Sequence, residues 1–80
     1  MNERLKYEGR LSIKEKEAES LKLQMEGLIK AIRDELDPYE KIDDLDIPRA
    51  FELMSDLAGK SLEYQELAGE IRRLKKDLGK

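Results

Sequence analysis

The chain of 80 residues contains neither histidine nor cysteine. Their absence removes the most common general base, the thiolate nucleophile and most sets of metal ligands. The serines that remain as candidate nucleophiles fall in segments with helical periodicity, and no base partner is indicated for Ser12, Ser20, Ser55 or Ser61. We therefore predict no catalytic site, no bound cofactor and no enzymatic activity.

The densest cluster of carboxylates lies between residues 37 and 46. This segment lacks the alternating ligands, the central glycine and the terminal glutamate of a calcium-binding EF-hand loop. We interpret its side chains as helix caps and solubilising charge rather than as a metal site, with weak divalent-cation binding as the alternative. The residues concerned are Asp37, Glu40, Asp43, Asp44 and Asp46.

A basic run near the end of the chain could contact phosphate groups, together with arginines and lysines near the start. The candidate anion-binding residues are Arg72, Arg73, Lys75 and Lys76. However, the chain has a net charge of −3, and acidic g positions interrupt the basic patch on the folded surface. Cations near a helix C-terminus also complement the helix dipole. We expect a solvated, helix-capping face, and keep nucleic acid and an acidic protein partner as alternatives.

The elements that would position these groups are helices. Charged residues make up 44% of the chain and aromatic residues 5%, which is typical of coiled-coil and long-helix proteins. Apolar residues recur at steps of three, four and seven, which predicts helices over about residues 2–36 and 48–78. The heptad a positions are Leu11, Ala18, Met25 and Ile32 in the first half, and Ala50, Leu57, Tyr64, Ile71 and Leu78 in the second.

The first helix is expected to end near Leu36. Asp37 precedes a proline, and a residue in that position disfavours helical backbone. Asp37 and Glu40 also have the spacing of a capping box, so a short helical turn could start there.

The second helix is expected to begin at Pro48, because proline suits the first turn of a helix. Asp46 or Ile47 would be its N-cap, which leaves a turn over about residues 37–47. We expect the apolar residues of the turn to fold back and close the end of the core: Ile42, Leu45 and Ile47.

Two helices of nearly equal length with a short connection should pack as antiparallel neighbours. Residue numbers in contact should then add to about 84, which places Met25 level with Gly59 and Leu11 level with Arg73. The sequence therefore predicts a single all-α domain over residues 1–80, a two-helix antiparallel hairpin.

The apolar face of each helix is wider than one antiparallel contact can cover. A contiguous apolar surface of this kind normally marks an interface. We therefore predict a homodimer, in which two hairpins form an antiparallel four-helix bundle. The predicted interface residues are Met25, Ile29, Ile32, Leu36, Phe51, Met54, Ala58, Leu62 and Ala68.

The two ends of the hairpin carry opposite charge. Residues 1–16 hold five basic and three acidic groups, and residues 70–80 hold five basic and two acidic groups, so the open end is +5. Residues 34–56 hold nine acidic and two basic groups, so the turn end is −7. Charge of this kind selects orientation more than it adds affinity. We expect a head-to-tail dimer, with each acidic turn beside the basic end of the other copy.

Three segments, residues 1–11, 27–40 and 71–79, resemble small helical proteins of Mu-like prophages. Their sequences are Met-Asn-Glu-Arg-Leu-Lys-Tyr-Glu-Gly-Arg-Leu, Gly-Leu-Ile-Lys-Ala-Ile-Arg-Asp-Glu-Leu-Asp-Pro-Tyr-Glu and Ile-Arg-Arg-Leu-Lys-Lys-Asp-Leu-Gly. The resemblance implies a phage-encoded accessory protein without specifying its function, and it slightly favours a context of DNA transactions or assembly. It implies no functional residue.

Apolar runs in this sequence are too short for a membrane span or a signal-peptide core, so we expect a cytoplasmic protein without a membrane partner. The leading functional hypothesis is a non-enzymatic interaction or scaffold protein whose partner is a second copy of itself, with an unidentified protein as a further partner. The alternatives are a nucleic-acid-associated accessory factor that uses the basic end, and a holdase-like helical hairpin that grips apolar clients near its turn.

Overall fold

The computed structural model describes residues 3–80 and shows an elongated helical hairpin of 63 × 17 × 14 Å. Helix α1 spans Glu3–Glu35 and helix α2 spans Ile47–Asp77, with a short 3-10 turn at Ile42–Asp44 between them. The predicted all-helical hairpin is confirmed. The predicted helix ends at residues 36, 48 and 78 each differ from the observed ends by one residue, and the predicted start at residue 2 lies outside the described residues.

The register of the two helices follows the predicted spacing. The ammonium nitrogen of Lys14 lies 3.0 Å from a carboxylate oxygen of Glu70, and these residue numbers add to 84. Nearer the open end, the Arg4 guanidinium donates a hydrogen bond of 3.4 Å to the carbonyl oxygen of Leu78. The two helices therefore run antiparallel at the expected level.

The core lies along the a and d positions of the two helices. Its buried members are Leu11, Leu21, Ala50, Leu53, Leu74 and Leu78. The polar residues at d positions, Lys14, Glu35 and Lys60, are half-buried, so the heptad pattern outweighs side-chain polarity in deciding which residues face the other helix.

Half of the buried residues form one cluster at the open end. There Leu11 of α1 packs with Leu74 and Leu78 of α2, and the half-buried Tyr7 and Ile71 pack against them. The open end therefore contains a cluster that is complete within one hairpin.

The turn begins with an aspartate that caps its own backbone. The amide of Leu36 still donates to the carbonyl of Ile32, which closes the last turn of α1. Asp37 then accepts the Tyr39 amide on its side chain at 2.9 Å and the Glu40 amide on its carbonyl at 3.1 Å. This arrangement is an Asx-turn. It forms in place of the helical turn that the capping-box spacing of Asp37 and Glu40 suggested.

Helix α2 begins at the N-cap Asp46. Its carboxylate accepts the Arg49 amide at 3.0 Å, and its carbonyl accepts the Ala50 amide. Pro48 lies in the first turn, where the missing N–H has no helical partner to lose. Of the two predicted caps, Asp46 is therefore the correct one.

The predicted closure of the core by the turn is wrong for two of its three residues. Ile42 is 82% exposed and Ile47 is 53% exposed, whereas Leu45 is half-buried. Extended backbone at Lys41 and Leu45 flanks the 3-10 turn, so successive side chains point in different directions. The apolar side chains of Ile42 and Ile47 are consequently left uncovered within the acidic turn end.

Helix α2 ends in a Schellman motif. Gly79 has a positive φ of 73°, its amide bonds to the Lys76 carbonyl, and the Lys80 amide bonds to the Lys75 carbonyl at 2.8 Å. Only glycine adopts this backbone conformation without strain, so Gly79 has a definite structural role.

Replacing Leu74 tests the importance of the open-end cluster. Because Leu74 is buried in it, Leu74→Ala should lower the free energy of unfolding by about 2–3 kcal/mol. The matched control is Leu23→Ala, since Leu23 is 60% exposed and its replacement should cost below about 0.5 kcal/mol. Urea unfolding followed by circular dichroism measures both. Equal losses for the two variants would contradict this assignment of the core.

Candidate interaction surface

Helix α2 carries a second apolar stripe that faces solvent. It consists of Ile47, Phe51, Met54, Ala58 and Leu62. Their spacing of four, three, four and four residues follows the helical repeat, so they lie along one line of the helix surface. Phe51 is 72% exposed and Leu62 is 63% exposed. This stripe is separate from the a and d positions that face α1.

Two exposed residues of α1, Ile29 and Leu36, lie on the same face of the hairpin. A shallow groove at the open end places Arg10, a g position of α1, beside Glu70 and Asp77, which are g positions of α2. Since the g sides meet on one face, the e sides share the opposite one. Ile29 and Leu36 are e positions, and Ile47 and Met54 are e positions of α2.

We call this surface the turn-half face. It comprises Ile29, Leu36, Ile47, Phe51, Met54, Ala58 and Leu62, all classed as exposed. A contiguous apolar surface of large side chains is unusual on a monomeric protein and normally contacts a partner.

The structure divides the nine predicted interface residues into two groups. Ile29, Leu36, Phe51, Met54, Ala58 and Leu62 lie on the turn-half face. Met25 and Ile32 are a positions, half-buried between the two helices, and Ala68 is also half-buried. These three are therefore partly covered within the hairpin itself.

Ile47 belongs to the turn-half face although the sequence interpretation assigned it to closing the core. Its spacing from Phe51 and Met54, four and then seven residues, was the signal that it extends their stripe. Proline at the next position obscured that signal, because it suggested a helix that starts one residue later.

The hairpin exposes more surface than a compact monomeric protein of the same mass. Its accessible area is 6439 Å², whereas a compact monomer of 9.3 kDa exposes about 5,000 Å². The excess is about 1,400 Å², and a standard protein–protein interface covers about 800 Å² on each partner. The hairpin therefore has enough surplus surface for such an interface.

The acidic turn does not form a cation site among residues 3–80. Asp37 and Asp46 use side-chain oxygens to accept backbone amides at the two helix ends. Within the described chain, no group of three or more acidic side chains is placed to hold a metal ion.

The candidate anion-binding residues are divided between two faces. Arg73 lines the open-end groove together with the acidic Glu70 and Asp77, where its charge is partly offset. Arg72, Lys75 and Lys76 are exposed outside the groove lining. In the groove itself, the Arg10 guanidinium lies 5.6 Å from the centre of the Tyr7 ring, within cation–π distance.

The ion pair between Lys14 and Glu70 spans this groove. The hydrogen bond from the Lys14 ammonium to the Glu70 carboxylate, together with the negative charge of that group, raises the pKa of Lys14 above its ordinary 10.5. The groove therefore holds a bridge between the helices.

Comparison with known proteins finds no match among family models, curated proteins or solved structures. The resemblance to prophage proteins stays a prediction. Neither helix in residues 3–80 includes a stretch long and apolar enough to cross a membrane.

The ion pair predicts a specific pH dependence. Because the pKa of Lys14 is raised on folding, its contribution to stability is present below pH 10.5 and is lost as the pH rises through the higher folded value. Lys14→Gln should therefore lower the melting temperature at neutral pH, and its difference from the wild type should shrink at strongly alkaline pH. The matched control is Lys16→Gln, an exposed neighbour. A pH-independent difference for Lys14→Gln would contradict the bridge.

Proposed function

We propose that this protein is a non-enzymatic interaction protein that works as a homodimer, in which two hairpins join through the turn-half face into an antiparallel four-helix bundle. The observation that carries the proposal is the continuous exposed stripe on α2. Phe51 and Met54 lie at its centre, and aromatic and methionine side chains are enriched at the buried centres of interfaces.

Charge supports an antiparallel over a parallel pairing. In a parallel dimer the two acidic turns, each −7 over residues 34–56, would lie side by side. Like charges placed together cost free energy and suppress that arrangement. An antiparallel dimer separates the two turns, so it buries the turn-half face without this repulsion.

A second candidate function uses the open end. The exposure of Arg72, Lys75 and Lys76 favours contact with a phosphate backbone, as in a nucleic-acid accessory factor. Such contact would weaken steeply with salt. The prophage resemblance, as a proposal about context, is compatible with either function.

The dimer is tested by mass and by one charge placed on the stripe. Sedimentation equilibrium should give about twice 9.3 kDa for the wild type. Met54→Lys should give the monomer mass, because the ammonium group would have to be desolvated within the interface. Ile29→Lys should act in the same direction through α1.

The matched control is Ile13→Lys, which places the same charge on a 59% exposed isoleucine near the open end, outside the turn-half face. The mass of this variant should remain that of a dimer. A wild-type monomer at high micromolar concentration would refute the dimer and leave the face to a different protein partner. Equal dissociation by Met54→Lys and Ile13→Lys would show that this face is not the contact.

A further inference from the structure

The exposed apolar stripe of α2 is confined to the turn half of the helix. Beyond Leu62 the same line of the helix surface continues with polar or small residues. These are Gln65, Gly69, Arg72 and Lys76. A second hairpin that packs on this line of α2 must therefore place its own apolar residues against the apolar half near the turn.

A dimer in which the hairpins overlap along their whole length matches these halves badly. Its two-fold axis would cross α2 near its middle, at Leu62. Phe51 would then lie level with Arg73 of the second copy, and Ile47 would lie level with Asp77 of the second copy. Only Leu62 would meet an apolar residue, so full overlap leaves Phe51 and Ile47 against charged residues.

We infer that the two copies pack antiparallel but staggered, with the two-fold axis between Met54 and Ser55, so that only their turn halves overlap. This rests on the proposed dimer and specifies its register. Residue numbers that face each other on the two α2 helices then add to about 109, since each helix rises by the same amount per residue.

The stripe is self-complementary about this axis. Ile47 faces Leu62 of the second copy, and Phe51 faces Ala58 of the second copy, so a large ring meets a small side chain. Met54 lies against Ser55 and Met54 of the second copy, next to the axis. An isologous interface requires this symmetry, because each contact occurs twice.

The charges on α1 match the same axis. Within one hairpin, residues of α1 and α2 at the same level have numbers that add to 84. The proposed axis, which crosses α2 between Met54 and Ser55, is therefore level with a point on α1 between Ile29 and Lys30. Residue numbers facing each other on the two α1 helices then add to about 59. Glu26 meets Arg33 of the second copy, and both side chains are exposed on the face that carries Ile29. Each contact pairs opposite charges and occurs twice.

Lys22 adds a second complementary charge contact. By the same spacing it lies opposite Asp37, at the start of the second copy's acidic turn. Rim charges of this kind set register and orientation. The acidic turn therefore meets the middle of the other hairpin, in place of the basic open end that full overlap would bring beside it.

The stagger leaves the open ends outside the overlap. Moving the axis from Leu62 to Met54 and Ser55 offsets the two hairpins by about 22 Å at 1.5 Å per residue. The part that projects holds the buried cluster around Leu11 and Leu74, which is complete within one hairpin. The chain itself thus covers the open-end cluster, and the second copy covers the turn-half face.

Single cysteines test the register, because the described chain has no cysteine of its own. Ser55→Cys places a thiol beside the proposed axis, and Ser61→Cys places one beside the axis of a fully overlapped dimer. Ser12→Cys, exposed near the open end, reports chance collisions. Each full-length variant is treated with a short bis-maleimide at a concentration where the wild type sediments as a dimer.

We expect Ser55→Cys to give at least about tenfold more crosslinked dimer than Ser61→Cys or Ser12→Cys, because pairing raises the effective concentration of adjacent thiols. X-ray scattering of the wild type should give a maximum dimension of about 85 Å, since a 22 Å offset lengthens a 63 Å rod.

The failures are distinguishable. Efficient crosslinking of Ser61→Cys but not Ser55→Cys, with a maximum dimension near 63 Å, would overturn the stagger while the dimer stands. Background crosslinking by all three variants together with a monomer mass would overturn both the register and the dimer.

If Ser55→Cys alone disturbs folding, charge reversal is the second test. Glu26→Arg and Arg33→Glu should each weaken the dimer, and the double variant should restore it; additive weakening would overturn the register.

Discussion

Two helices that pack against each other can cover only one stripe of each other's surface, and this constraint governs the whole molecule. The a and d positions fill that stripe from Leu11 to Leu78, including lysines that a globular core would exclude. Any apolar residue outside the stripe must face solvent or a partner. A chain without disulfides has few other means of reinforcing a small core.

The hairpin meets this constraint differently at its two ends. At the open end, Leu11, Leu74 and Leu78 form a buried cluster, and the ion pair between Lys14 and Glu70 bridges the helices beside it. At the turn end, Ala50 and Leu53 are buried, but the stripe around Phe51 remains uncovered. The open end thus stabilises the hairpin, while the turn end carries the exposed apolar stripe on which the proposed association depends.

The heptad pattern was sufficient to predict the helices, their pairing and their register, because burial of a repeating stripe leaves a regular trace in the sequence. The proline and aspartate signals placed the turn to within one residue. Ile42 was misassigned because the direction of a side chain in a short turn depends on backbone angles that composition does not reveal. Ile47 was misassigned because Pro48 suggested that α2 starts one residue later. Gly79 received no role in the sequence analysis, although a glycine directly after the last heptad position, with lysines in the preceding turn, is a usual signal of a helix C-terminus.

The candidate surface was predicted only in part. Met25 and Ile32 have the same apolar character as Ile29, and only the rotation of α1 against α2 shows that they lie between the helices. The register between two copies is harder to predict from the sequence, since the heptad pattern does not determine which residues of the two stripes face each other.

The most direct test of self-association is the dependence of the melting temperature on protein concentration, followed by circular dichroism over a hundredfold range. If the turn-half face is covered by a second copy, unfolding is coupled to dissociation and the melting temperature must rise with concentration. The expected result is a steady rise in the wild type and none in Met54→Lys. A wild-type melting temperature that stays constant across the range would contradict the dimer.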